Sequence, residues 1–169
     1  LVGQLWYNKA VGKIYVYTDN KVFKPVGGSL LSNTQPTQFD QGDFWIDTDN
    51  KFRMRPDLLR KQIEADKKKG DIPFMVVGTA GSVGTGAIDP LRELSSIGKE
   101  NNMWFHVDGA YGLPGYLDER VRPKYDGLEL ADSVIVDPHK WLAASTGIGI
   151  LFARDRALLE RAFTQGHAV

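Results

Sequence analysis

The chemically most suggestive stretch of this 169-residue chain is Asp137-Pro138-His139-Lys140-Trp141, which directly follows the apolar run Ser133-Val134-Ile135-Val136. The run reads as a buried strand. A parallel sheet opens its ligand crevice beyond the carboxyl ends of its strands, where a desolvated amine becomes nucleophilic, so Lys140 is the candidate for covalent chemistry. Asp108 holds the same type of position after Trp104-Phe105-His106-Val107. If both strands end on one edge, a carboxylate and an amine converge on one crevice. An ordinary salt bridge or a helix cap is the alternative for this pair.

Fewer chemical signals lie elsewhere. The glycine-rich stretch from Gly78 to Gly86 follows a strand and precedes a helix, a setting in which backbone N–H groups can cradle an anion. It lacks the lysine of a nucleotide P-loop, and its glycines do not fit the dinucleotide fingerprint. His106 shares a strand face with Asp108, and reads either as support for that carboxylate or as a hydrogen-bonded core histidine. Trp141 reads as packing, and His167 as exposed and idle.

The elements that must position these residues alternate from residue 56 onward. Pro56 suits a first helical turn. Leu58, Leu59, Ile63 and Ala65 then form an apolar stripe, and Lys67-Lys68-Lys69-Gly70 closes the helix with solvated cations and a glycine cap. Pro73 to Gly78 is a continuous apolar run of buried-strand type. Asp89 is expected to cap a helix starting at Pro90, with Leu91, Leu94 and Ile97 on one face. Strands follow at Met103 to Val107, Ser133 to Val136 and Gly147 to Phe152. Asp155 caps a last helix, with Leu158, Leu159, Ala162 and Phe163 inward.

This alternation implies an α/β fold, a mainly parallel sheet with helices on both faces. The first residues are less orderly. Leu1 to Val11 shows no clear period, Ile14 to Tyr17 suits a strand, Lys24 to Gly42 reads as loop, and Phe44-Trp45-Ile46 as another strand.

Composition sets the outer limits. The hydrophobic content of 42% suits one globular domain with a real core. Lysine plus arginine equals aspartate plus glutamate, 21 each, so no net field steers the chain toward nucleic acid or an anionic membrane. Without cysteine there is no disulfide framework, thiolate nucleophile or zinc-thiolate site. No run approaches membrane-spanning length, and no basic-then-apolar leader pattern opens the sequence. The expectation is a soluble, cytoplasmic protein with neither nucleic-acid nor membrane partners. Leu1 in place of methionine suggests part of a longer chain.

The wording of the segments carries more than their periodicity. Residues 52 to 66, Thr79-Ala80-Gly81, Thr85-Gly86-Ala87-Ile88-Asp89-Pro90-Leu91, His106-Val107-Asp108-Gly109-Ala110-Tyr111-Gly112 and Asp137-Pro138-His139-Lys140-Trp141-Leu142 follow one another in a family order. Together they resemble the group II pyridoxal-phosphate-dependent decarboxylases, the family of aromatic-L-amino-acid and glutamate decarboxylases, over roughly residues 44 to 165.

The resemblance implies an aspartate-aminotransferase-like large domain, pyridoxal 5'-phosphate as cofactor, an amino-acid substrate and a homodimer. It divides the chain into an irregular, poorly matched part at 1–43 and a cofactor-binding core at 44–169, with the small C-terminal domain absent. It makes Lys140 the Schiff-base lysine and Asp108 the partner of the pyridine nitrogen. Ala110 would pack on the cofactor ring, His139 would lie beside the phosphate or the substrate carboxylate, and Ser82 and Asp137 would border the cofactor. The implied reaction is decarboxylation of an L-amino acid to the amine and carbon dioxide. A lyase or aldehyde synthase of the same fold would need the same two central residues, and a catalytically silent folding or dimerisation module would need neither.

Some positions depart from the family pattern. A histidine that stacks on the ring in the family would fall near Val22 or Phe23, and Gly27-Gly28-Ser29, which has the look of a phosphate turn, comes after the strand instead of before it. Val83 stands where many relatives have threonine, and Asp137 where some have asparagine.

Overall fold

The computed structural model describes residues 46–163 together with three short strands nearer the N-terminus. Those strands, β1 (Leu5–Asn8), β2 (Lys13–Tyr17) and β3 (Phe23–Val26), form an antiparallel sheet in the order β1-β2-β3. They belong to a compact unit, Leu1–Thr48, distinct from the unit Asp49–Val169. β2 matches the expected strand. β1 falls where the sequence has no period, and β3 enters the segment expected to be loop. Both are strands because each pairs with β2, a contact that no local pattern encodes. Ile46 is irregular rather than part of a strand. Val22, Gly27-Gly28-Ser29 and His167 lie outside the described residues, as does the side chain of Phe23.

In the second unit, a tight turn at residues 49–53 is fastened by Asp49, whose Oδ1 accepts the N–H groups of Lys51 and Arg53. Helix α1 (Pro56–Lys69) follows with proline in its first turn. Leu59 and Ile63 are buried, and the lysines at its end are exposed. Gly70 terminates it at φ +88°, a left-handed conformation that glycine adopts without steric cost, donating its N–H to the carbonyls of Asp66 and Lys67.

The sheet has the order β4-β5-β6-β7, formed by Met75–Thr79, Trp104–Asp108, Ser133–Val136 and Ile150–Ala153. The first three strands are parallel, whereas β7 runs antiparallel to β6. The reason lies in the connections. Residues 137–149 between β6 and β7 hold only the single helical turn Pro138–Trp141 and no crossover helix, and the chain returns along the neighbouring edge.

Helix α2 (Leu91–Glu100) supplies the core. Leu91, Leu94 and Ile97 are fully buried beside Phe105 and Val107. Burying each such aliphatic side chain contributes about 1.5–3 kcal/mol. Gly78 permits this closeness, since a Cβ there would lie 2.9 Å from Leu91 Cδ2.

Three expectations need correction. Asp89 does not cap α2 with its side chain. The helix begins at Leu91 with Pro90 at the cap, while the Asp89 carboxylate accepts Met54 N–H at 2.6 Å and Thr79 N–H at 2.8 Å. The run at Pro73 to Gly78 is buried on one face only: Val76 and Gly78 lie under α2, whereas Met75 and Val77 are exposed. In α4 (Arg156–Phe163) Asp155 does cap the helix, accepting Ala157 N–H at 2.8 Å, but Leu158 is exposed rather than inward. The side chains of Leu159, Ala162 and Phe163 lie outside the described residues. No helix among the described residues is long and apolar enough to cross a membrane.

Candidate active site

The three parallel strands end in register, with Thr79 beside Asp108 and Asp108 beside Ile135. The ladder then continues past the strands. Ala80 N–H donates to the Asp108 carbonyl at 2.7 Å, Gly109 N–H to the Ile135 carbonyl at 3.0 Å, and Asp137 N–H to the Ala110 carbonyl at 3.1 Å. The loops after β4, β5 and β6 therefore leave one edge side by side. This is the convergence of the Asp108 and Lys140 segments that the sequence suggests.

Asp108 is exposed at the end of β5. Its Oδ1 accepts Ala110 N–H at 3.0 Å, which folds residues 108–110 into a tight turn. Among the described residues Oδ2 has no hydrogen-bond partner. Ala110, half-buried, sits on the same turn.

Lys140 lies on the single helical turn α3 (Pro138–Trp141). Its Nζ is 2.8 Å from Asp137 Oδ2, so the carboxylate beside it anchors the amine. His139 places Nδ1 2.8 Å from the Ile148 carbonyl. A carbonyl only accepts, so Nδ1 carries the proton, and in the neutral ring Nε2 is an acceptor. Trp141 meets Tyr111 edge to face with ring centroids 5.6 Å apart, in keeping with a packing role.

The glycine-rich loop borders the same edge but does not present the expected anion cradle. The N–H groups of Gly81 and Ser82 both donate to the Ala87 carbonyl at 3.0 Å, and Gly86 N–H donates to the Ser82 carbonyl at 2.8 Å. Ser82 Oγ pairs with Thr85 Oγ1 at 2.6 Å. Closing the loop consumes these donors. Gly81, at φ +94°, lies against Gly112, and a Cβ on Gly81 would fall 2.6 Å from Gly112 Cα. The loop after β4 and the turn after β5 are therefore in backbone contact.

His106 faces the same side of the sheet as Asp108. Its Nδ1 is 2.8 Å from Ser133 Oγ, which also accepts the indole N–H of Trp104 at 2.7 Å. Burial pushes the imidazole pKa down, and the nearby Asp108 charge and the Ser133 backbone oppose the shift without reversing it. Burial likewise raises the Asp89 carboxyl, against the lowering effect of its two N–H donors.

Sequence reasoning missed Ser133, Trp104 and the bridging role of Asp89. The even spacing of Trp104, His106 and Asp108 carries a signal for Trp104, while Ser133 joins them only through the β5–β6 register. A cavity of about 520 Å³ bordered by Lys99, Trp104, Asp132 and Arg154 lies at the opposite end of the sheet from Asp108.

The geometry agrees with comparisons to known proteins. Residues 44–167 match the model of the pyridoxal-dependent decarboxylase conserved domain. The chain is 38% identical over 118 residues to an aromatic-L-amino-acid decarboxylase of Bacillus atrophaeus, covering 70% of this chain and 25% of that protein. It is 36% identical to a 4-hydroxyphenylacetaldehyde synthase of Rhodiola rosea, covering 66% of this chain and 23% of that protein. The crystal structure of mouse CSAD in apo form superposes with a TM-score of 0.70 at 35% identity, covering 76% of this chain and 27% of that one. The chain thus spans about a quarter of the length of these relatives.

Proposed function

The chain belongs to the pyridoxal-dependent decarboxylase family, and from that premise we propose that it forms part of an enzyme that decarboxylates an L-amino acid to the amine and carbon dioxide. The observation that carries this reading is the meeting, on one sheet edge, of an exposed carboxylate with an open oxygen and a lysine amine on the adjoining loop.

Pyridoxal 5'-phosphate, when bound, supplies a protonated pyridine ring that absorbs the electron pair left when the substrate's carboxylate departs. These residues fit two of its ends. Asp108 has Oδ2 available for the ring nitrogen, and a carboxylate there favours the protonated form. Lys140 would hold the aldehyde carbon through its ε-amine, once that amine leaves Asp137. Ala110 offers a small surface beside Asp108 for the ring. At the phosphate end, His139 and Ser82 are the candidates, since the amides of Gly81, Ser82 and Gly86 are engaged in closing the loop. With its amine free, Lys140 would carry a proton to the carbon that has lost its carboxylate. The homodimer, the cytoplasmic location and the division at residue 43 belong to the same proposal.

The test is direct. Saturating the chain with pyridoxal phosphate, reducing with borohydride and mapping peptides by mass should put the pyridoxyl group on Lys140, and Lys140→Ala should lose it. No adduct at Lys140 would sink the proposal and favour a silent folding or dimerisation module. A second reading draws support from the likeness to the aldehyde synthase. Product analysis with a panel of amino acids separates the two, because a decarboxylase releases amine and an aldehyde synthase releases aldehyde.

A further inference from the structure

We infer that Trp104, Ser133 and His106 form a hydrogen-bonded relay across β5 and β6 that fixes His106 as the neutral Nε2–H tautomer beside Asp108, making it a positioning residue for that carboxylate. The inference rests on the proposed role of Asp108 toward the cofactor's ring nitrogen.

The polarity of the relay follows from its first member. An indole N–H only donates, so the 2.7 Å contact makes Ser133 Oγ an acceptor from Trp104. The serine proton then has His106 Nδ1, 2.8 Å away, as its acceptor. Nδ1 must therefore hold a lone pair, which leaves the ring proton on Nε2. The opposite polarity would make Ser133 accept twice and strand its own hydroxyl proton. Ser133 is only 8% exposed, and an unsatisfied buried hydroxyl costs about 1–3 kcal/mol.

The relay stands on the strand face that ends at Asp108. His106 and Asp108 are two residues apart on one strand, so their side chains leave the same face with Cα atoms about 7 Å apart. The ring also interacts with the Ser133 backbone, and Asp108 Oδ2 has no hydrogen-bond partner among the described residues. A neutral donor at this position can steady the carboxylate, directly or through one water, without adding a second cation. An imidazolium would compete with the cofactor's pyridinium for the same charge. Burial lowers the imidazole pKa, which favours the neutral ring over the imidazolium.

The tautomer is read without cofactor, from the ring-nitrogen shifts of the 15N-labelled chain at neutral pH, with His106→Gln to assign the signals. Nδ1 should show the shift of an unprotonated nitrogen and Nε2 that of a protonated one. Ser133→Ala and Trp104→Phe should each give a mixed tautomer, and Ser133→Thr should restore the single form. A protonated Nδ1 in the unmodified chain, or a tautomer indifferent to both Ser133→Ala and Trp104→Phe, overturns the relay. With pyridoxal phosphate bound, the pH at which its absorbance reports loss of the ring-nitrogen proton should fall in Ser133→Ala and recover in Ser133→Thr. An unmoved midpoint overturns the positioning role. Failure of the cofactor to attach at Lys140 would refute the proposed function instead, while the tautomer measurement would still decide the relay.

Discussion

Substituting Gly112 by alanine isolates the contact between the loop after β4 and the turn after β5. The backbone at Gly112 has φ −88° and ψ −12°, which alanine adopts freely, so the substitution carries no conformational penalty of its own. The cost is steric. The new Cβ would overlap Gly81 Cα and fall 2.6 Å from the Ala80 carbonyl oxygen and 2.7 Å from that of Gly81. These are backbone atoms, and ordinary contact requires them to retreat by roughly 1 Å. Tyr125, whose hydroxyl donates to the Gly112 carbonyl, resists the turn's moving the other way. Overpacking of this kind costs about 1–3 kcal/mol, and rigid neighbours on both sides favour the upper half of that range. With a urea slope of about 1–3 kcal/mol/M, the denaturation midpoint should drop by roughly 1 M. Gly84→Ala is the control, since nothing lies within 4 Å of its Cβ position, and it should leave the midpoint unchanged or slightly raised. Equal midpoints for the two variants would refute the claim that the loops are in rigid contact.

Other outcomes follow from the same geometry. Asp108→Asn removes a charge-assisted bond worth about 1.5–3 kcal/mol, so the dissociation constant for pyridoxal phosphate, measured by fluorescence titration, should rise about 10- to 100-fold. Burial raises the Asp89 carboxyl, so the folded chain binds that proton more tightly than the unfolded chain. Asp89 therefore favours folding most below the ordinary carboxylate range, and its contribution declines as pH rises through the raised folded value. Asp89→Asn should remove this slope from a plot of urea midpoint against pH. Asp49 behaves in the opposite sense: hydrogen bonds from the Arg53 guanidinium and backbone hold its pKa at about 2. Its support for the turn at 49–53 is present above the ordinary carboxylate range and lost as pH falls toward that value. Arg53→Gln should raise the Asp49 midpoint in an NMR titration.

What the sequence made legible was whatever a local pattern encodes. Periodicity placed α1, α2 and the strand at Ser133–Val136, because helical and strand faces repeat along the chain. Position after a strand was enough to single out Asp108 and Lys140. Partners distant in sequence stayed hidden. Asp89 sits immediately before a proline and a helix and has the signature of a cap, yet it serves Met54, 35 residues away, because two backbone amides needed a buried acceptor. The orientation of β7 was equally invisible, since nothing in Ile150–Ala153 distinguishes a parallel strand from an antiparallel one. The glycine-rich loop misled for a related reason: its composition offers free amides, but those of Gly81 and Ser82 are held by the Ala87 carbonyl and that of Gly86 by the Ser82 carbonyl.

The placement of the two central side chains depends on backbone more than on their own contacts. Asp108 is held through one carboxylate oxygen and Lys140 through one neighbouring carboxylate. Each can exchange that partner for a ligand while its Cα stays fixed, because the ladder runs unbroken from Ala80 through Gly109 to Asp137 across the ends of β4, β5 and β6. A site that binds a cofactor covalently needs this combination. The side chains must be free to change partners, and the strand ends beneath them must not move. The Gly81–Gly112 contact and the Asp89 bridge extend the same restraint to the loop after β4 and to the segment before α1. Damage to either should therefore weaken cofactor binding without touching Asp108 or Lys140.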